Sequence, residues 1–235
     1  MHKILILIPA RYASTRFQGK HLAMIKGKSM IERVYENAKA TGFDCAVVTD
    51  DDRIEECLKK IKAKVIRVDD DVPSGTERIG LAYQRNFKDY DLIINVQGDE
   101  PLLPAQEIID LAQFHQDSDY DVATMLRKRE ADEDLHNPNV VKCDFDEDSH
   151  ECKNFDREVF DSNSNYWFQH VGVYSYKPRV LDFYLNSKPS QNELTKRFEQ
   201  LRAMDHGFRY GALITEYKSI GVDTPEDLEK VQNLF

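Results

Sequence analysis

The chain has 235 residues, 41% of them hydrophobic, and its 32 basic against 42 acidic side chains give a formal charge of −10. This balance excludes a disordered polypeptide and a nucleic-acid binder built on an overall basic surface. Length fits one domain with room for a buried core, and the apolar runs fall far short of a membrane span.

The first strand is expected at Lys3–Pro9, an apolar β-branched run too short for a helix. Its basic flank is the single Lys3 and no small-residue cleavage site follows, so no signal peptide is expected. Ser29–Thr41 reads as a helix with Met30, Ile31, Val34, Tyr35 and Ala38 on one face. Strands follow at Cys45–Thr49, Lys64–Val68 and Asp91–Gln97, alternating with helices at Asp51–Ile61, Thr76–Asn86 and Pro104–His115. This alternation predicts a parallel sheet with helices on both faces. Further on, Asp121–Arg127, Val140–Phe145 and Val171–Tyr176 read as strands, and Asn192–Asp205 and Thr224–Leu234 as helices. Residues 146–169 are polar with little periodicity. Cysteines 45, 57, 143 and 152 form no Cys-x-x-Cys pair. His150 and Cys152 near Cys143 give a weak metal hint, and reduced cysteines of a cytoplasmic protein are the expectation.

In such sheets ligands bind beyond the carboxyl ends of the strands, and the chemistry-bearing residues fall there. After the first strand, Pro9-Ala10-Arg11-Tyr12-Ala13-Ser14-Thr15-Arg16-Phe17-Gln18-Gly19-Lys20 is no Walker loop, because Ser14 and His21 stand where that motif needs Gly and Ser/Thr. Arg11, Arg16 and Lys20 suit a polyphosphate, or else a solvated loop on an acidic protein. After the second strand, Thr49 or Asp50 reads as a helix cap. Ser74 and Glu77 read as a capping box. Arg78 opposes the dipole of its first helical turn and asks for a nearby acid or an anionic ligand. Gly98 permits close approach of a ligand, and Asp99 is placed to hold Mg²⁺ against phosphate oxygens. Thr224 and Pro225 start a helix, leaving Asp223 outside it as a second metal candidate.

Eight stretches in order, PARYASTRFQGK, VVTDDDRI, SGTERI, NVQGDEPLL, NPNVVK, HVGVYSY, FEQLRAMDHG and GVDTPEDLEKV, resemble the 3-deoxy-manno-octulosonate (Kdo) cytidylyltransferases. The resemblance implies a three-layer, Rossmann-like α/β nucleotidyltransferase (GT-A-like) with a mixed, mostly parallel sheet and a small dimerisation and sugar-binding extension. Residues 1–235 would form a single cytidylyltransferase domain. Within it, about 1–130 would be the nucleotide-binding half, about 131–220 the sugar-binding and dimerisation insert, and 221–235 a returning metal-site loop and helix. It further implies a cytoplasmic homodimer that converts CTP and Kdo to CMP-Kdo and pyrophosphate with Mg²⁺, for lipopolysaccharide synthesis. Carried over by position, Arg11, Lys20, Asp99 and Asp223 would be catalytic, the two aspartates as metal ligands. Pro9, Ala10, Arg11, Lys20, Ser74, Arg78 and Gln97 would bind nucleotide. Gln97, Arg157, His170, Tyr174, Glu199 and Gln200 would bind the sugar acid.

Three departures stand out. Gln18 and His21 replace prolines of the phosphate loop, which predicts a looser loop. Asp156 and Glu158 flank Arg157 where the family has serines, and Lys196 stands where it has an acid. The added acids raise an alternative, that Asp156 or Glu158 receives the ammonium of an 8-amino-8-deoxy-Kdo, against their being solvated loop acids. A silent nucleotide-binding relative is a further alternative, opposed by the presence of Arg11, Lys20, Asp99 and Asp223.

Overall fold

The computed structural model describes residues 2–14, 16–161 and 164–235. β1 (Ile4–Pro9) is buried on both faces, which explains its unbroken apolar sequence. Ile4, Ile6 and Ile8 enter one helical layer, and Leu5 and Leu7 the other. A short ribbon, β2 (Met24–Ile25) and β3 (Lys28–Ser29), leads into α1 (Met30–Ala40). Then come β4 (Asp44–Thr49), α2 (Asp52–Lys59), β5 (Val65–Arg67), α3 (Gly75–Asn86), β6 (Leu92–Asn95) and α4 (Ala105–Gln116). The β1 strand lies between β4 and β6, parallel to both, and β5 joins β4 in parallel. Residues of α1, α2 and α4 pack on one face, and those of α3 on the other.

The second half adds β7 (Val122–Glu130), β8 (Lys142–Asp146), β9 (Glu151–Asp156), β10 (Tyr166–Tyr176), α5 (Pro178–Asn186), α6 (Gln191–Lys196), α7 (Gln200–Met204), β11 (Tyr210–Ile214) and α8 (Pro225–Gln232). The sheet runs β5-β4-β1-β6-β10-β7-β11-β9-β8. The β10 strand is antiparallel to β6, β7 and β8, while β11 is parallel to β7. Parallel pairing thus fills the first half and antiparallel pairing prevails in the second. The result is the expected three-layer α/β architecture with a mixed sheet.

Several elements depart from the sequence reading. The polar stretch 146–169 contains β9 and the start of β10, whose inward residues Cys152, Phe155, Trp167 and Phe168 were masked by their polar neighbours. The α5 helix, opened by Pro178 at its first turn, and the β11 strand were not anticipated. The single helix expected over 192–205 is two helices, broken at Arg197, which adopts left-handed backbone (φ 52°, ψ 48°). Among the described residues no group of three or more His, Cys, Asp or Glu could hold a metal, and all four cysteines are free.

A buried polar network joins the two halves. Arg202, 1% exposed, meets Glu193 with two 2.7 Å bonds and Glu77 with one of 2.8 Å, tying α7 to α6 and α3. Ser74 accepts from the Glu77 backbone N–H (3.1 Å) as the α3 cap. The capping box is therefore half formed, with the Glu77 carboxylate turned to Arg202 instead. The Ser74 hydroxyl also touches two carboxylates, Glu77 at 2.8 Å and Glu199 at 2.6 Å. One hydroxyl has one proton to give, so one of those carboxyl groups must itself be the donor. Glu77 is paired with Arg202 at 2.8 Å. Desolvation pushes the Glu199 carboxyl up to about 7, against the Ser74 bond, so Glu199 carries the proton.

This assignment has a pH signature. The unfolded chain ionises Glu199 from about 4.5, whereas the native protein resists ionisation until about 7, so native stability falls as pH rises between those values. The shift corresponds to about 3 kcal/mol. Glu199→Gln is expected to melt near the parent at pH 4.5 and several degrees above it at pH 8, measured by thermal denaturation across that range. A difference independent of pH would show that Glu199 is not held protonated.

Candidate active site

The site forms at the carboxyl ends of β1, β4, β5 and β6. Beyond β1 the Ala10 N–H donates to Val48 O (2.9 Å), holding the exit of the phosphate loop on β4. Gly19 takes left-handed backbone (φ 70°) and donates to Tyr12 O; a Cβ there would lie 2.8 Å from the Tyr12 ring. His21 is buried, and burial lowers its pKa, so its ring is neutral. It faces the Arg11 carbonyl at 2.8 Å, which can only accept, so the proton is on Nδ1. The loop expected to loosen without its prolines is thus tied across its base by the Gly19 and His21 bonds. The Gly98 space is filled by the protein itself: a Cβ would come 2.8 Å from Pro9 O and 2.9 Å from His21 Nε2. Gly98 thus makes room for His21, and it also lines the cavity described below.

Asp99 and Asp223 converge. Lys20 Nζ lies 2.6 Å from Asp99 Oδ2 and 2.8 Å from Asp223 Oδ1, and Arg16 holds the other oxygen of Asp223 at 2.8 Å. Burial alone would lower the Lys20 pKa, but the two carboxylates outweigh it and hold the ammonium above its ordinary value. The loops are aligned by the Val222 N–H, which donates to Asp99 O at 2.9 Å. Glu100, a residue the sequence reading passed over, anchors the returning loop by accepting from Ser219 and from Tyr217 (3.2 Å); burial pushes it up to about 7.

All the expected nucleotide residues, Pro9, Ala10, Arg11, Lys20, Ser74, Arg78 and Gln97, line one cavity of about 270 Å³ with both aspartates at its rim. Arg11 makes no ion pair among the described residues and is exposed to the cavity. The acid that Arg78 demanded is Asp50 (2.9 Å), with Val68 O as second acceptor (2.7 Å). The α2 cap is therefore Asp51, not Thr49 or Asp50.

Gln97, Tyr174, Glu199 and Gln200 line an adjoining cavity of about 190 Å³, reached by Gln97 from the nucleotide side. His170 is elsewhere. It sits behind Tyr174, stacked at 5.3 Å, with its edge on Phe155 and Phe198 and Nε2 3.1 Å from the Thr124 hydroxyl. Desolvation drops its pKa to about 3, so it is a neutral support for Tyr174. Arg157 lines a third cavity, about 730 Å³, that meets the nucleotide cavity at Arg16 and Asp223. The two departures on that wall meet: Lys196 Nζ contacts Asp156 Oδ2 at 2.6 Å, and Asp156 Oδ1 accepts from the backbone of Arg157 and Glu158.

The family model for cytidylyltransferases matches residues 5–218. The 3-deoxy-manno-octulosonate cytidylyltransferase of Cytophaga hutchinsonii is 40% identical over 241 residues, spanning 97% of this chain and 96% of its own. That of Thermodesulfovibrio yellowstonii is 38% identical over 240 residues, spanning 95% and 94%. A solved CMP:2-keto-3-deoxy-manno-octonic acid synthetase complexed with CTP superposes with a TM-score of 0.91 at 34% identity, covering 99% of this chain and 98% of that one. HddC from Yersinia pseudotuberculosis, at 19% identity and a TM-score of 0.73, shares the fold. Matched from end to end in sequence and in backbone, the chain belongs to the 3-deoxy-manno-octulosonate cytidylyltransferases.

Proposed function

We propose that the protein transfers CMP from CTP to the anomeric hydroxyl of Kdo, releasing pyrophosphate, with Mg²⁺ as cofactor. The observation that carries this reading is the convergence of Asp99 and Asp223 on one ammonium, between the nucleotide cavity and the sugar cavities. Such a pair of hard oxygen donors fits Mg²⁺, which is held by one or two carboxylates together with substrate phosphates and water. Bound there, it would acidify the attacking hydroxyl and offset charge at the α-phosphate. Arg11 and Lys20 face the phosphates and oppose the charge that builds on departing pyrophosphate. Ser74 and Arg78 wall the nucleotide, and Gln97 lies between the two substrates. The sugar oxygen bonds to the α-phosphorus as the bond to the β-phosphate oxygen breaks; the hydroxyl proton passes to water. No side-chain nucleophile is needed, so catalysis is positioning and charge stabilisation. CMP-Kdo would serve lipopolysaccharide synthesis in the cytoplasm. No helix among the described residues is long and apolar enough to cross a membrane. A homodimer is part of the same proposal.

Of the two acids that the amino-sugar alternative invokes, Asp156 is already bound to Lys196, which leaves it resting on Glu158 alone. Pyrophosphate release from CTP is expected with Kdo; release with 8-amino-8-deoxy-Kdo alone would overturn the assignment. Asp99→Asn and Asp223→Asn are each expected to lower kcat about 100-fold or more. Both should move the Mg²⁺ requirement to higher concentration in that assay. Full activity in either variant would remove the pair from the site.

A further inference from the structure

The nucleotide cavity is ordered along the sheet. Asp99 follows β6, the loop of Arg11 and Lys20 follows β1, and Arg78 stands against the ends of β4 and β5. With the phosphates at the Asp99–Asp223 pair, the other end of a nucleotide, its base, falls toward β4 and β5. The lining there is Val72, Pro73, Ser74, Gly75 and Arg78.

Arg78 is 6% exposed and is clamped from behind. Asp50 Oδ2, past the end of β4, takes one terminal nitrogen at 2.9 Å, and Val68 O, past the end of β5, takes the other at 2.7 Å. Acceptors on both terminal nitrogens fix the plane of a guanidinium and leave three of its five N–H groups. Asp50 is itself held. Arg67 donates to its carbonyl (2.8 Å), and the Val68 N–H donates to Thr49 O (3.0 Å), which ties the two strand ends together. Asp70, another acid near the Arg78 charge, is taken by Arg85 through bonds of 2.5 and 2.8 Å. The α2 cap is the neighbouring Asp51, so the Asp50 carboxylate is not needed to start that helix. Asp50 stands outside the cavity lining, so whatever it does for a ligand it does through Arg78.

We infer that Asp50 is a positioning residue that sets the choice of pyrimidine by fixing the plane of the Arg78 guanidinium. This rests on CTP being the nucleotide, as proposed above. Cytosine carries two adjacent acceptors, O2 and the ring N3, which match two parallel N–H groups of a guanidinium. Uracil keeps O2 but has N3–H, a donor that meets donors. A guanidinium held in one plane therefore rejects uracil, because its N–H is left facing a like group. One free to turn gives up N3 for a carbonyl oxygen, which both bases have, and the distinction is lost.

The test is Asp50→Ala, assayed by pyrophosphate release with Kdo and either CTP or UTP. The parent should favour CTP about 100-fold or more in kcat/KM. In Asp50→Ala the KM for CTP should rise about tenfold, with kcat and the KM for Kdo nearly unchanged, and the preference over UTP should fall about tenfold or more. Asp50→Asn keeps an acceptor in the same place and should retain most of the preference. Asp50→Glu keeps the charge but carries it one methylene further, so it should lose the preference as the alanine variant does; it bears the test if Asp50→Ala does not fold. In an Arg78→Gln background, Asp50→Ala should change the preference no further. A parent without preference for CTP, or a folded variant that loses activity with CTP and UTP equally, would overturn the assignment. If the parent released no pyrophosphate with CTP and Kdo, the proposed reaction would fall instead, and calorimetric binding of CTP and UTP to the parent and Asp50→Ala would still decide the role of Asp50.

Discussion

Two carboxylates brought together at the mouth of a cleft repel each other unless a cation stands between them, and here the protein supplies its own. Lys20 lies on Asp99 and Asp223 together, from a loop that follows the first strand, while the aspartates follow the fourth core strand and the penultimate turn of the chain. Much of the neighbouring structure maintains that meeting. His21 and Gly19 fix the loop, Gly98 clears room for His21, Val222 binds the backbone of Asp99, and Glu100 holds the returning segment. The ammonium, raised in pKa by its partners, offsets the charge of both acids.

The cavity of Gln97, Tyr174, Glu199 and Gln200 depends on a different device, a buried guanidinium with carboxylates from two helices. Arg202 would be costly alone in the interior; with Glu77 and Glu193 it sets α7 against α3 and so fixes where Glu199 and Gln200 face. Ser74 is shared between this network and the nucleotide cavity. The cap of α3 is therefore also the joint between the two binding regions.

How much of this was readable from sequence follows from what kind of signal each element carries. Strands buried on both faces and helices with an apolar stripe announce themselves, as β1 and α1 do. Chain position relative to strand ends then located Lys20, Asp99 and Asp223, and the odd placement of Arg78 called for the acid that proved to be Asp50. The antiparallel half was harder, because β9 and β10 alternate buried and polar residues and β8–β9 turns through left-handed His150. No local pattern distinguishes His170 as a wall behind Tyr174 from His170 as a contact. The engagement of Arg157 with backbone carbonyls, and the pairing of Asp156 with Lys196, are facts of tertiary approach alone.

The long strand β10 has a consequence for how the two halves are held. It pairs with β7 along its whole length, across one register shift between Val171 and Tyr174, while its last residues also pair with β6 and Phe168 and Gln169 with β8. A sheet stitched through its middle by one strand couples the two halves through backbone hydrogen bonds, so the cavities on either side are set on one frame rather than on two bodies joined by a linker.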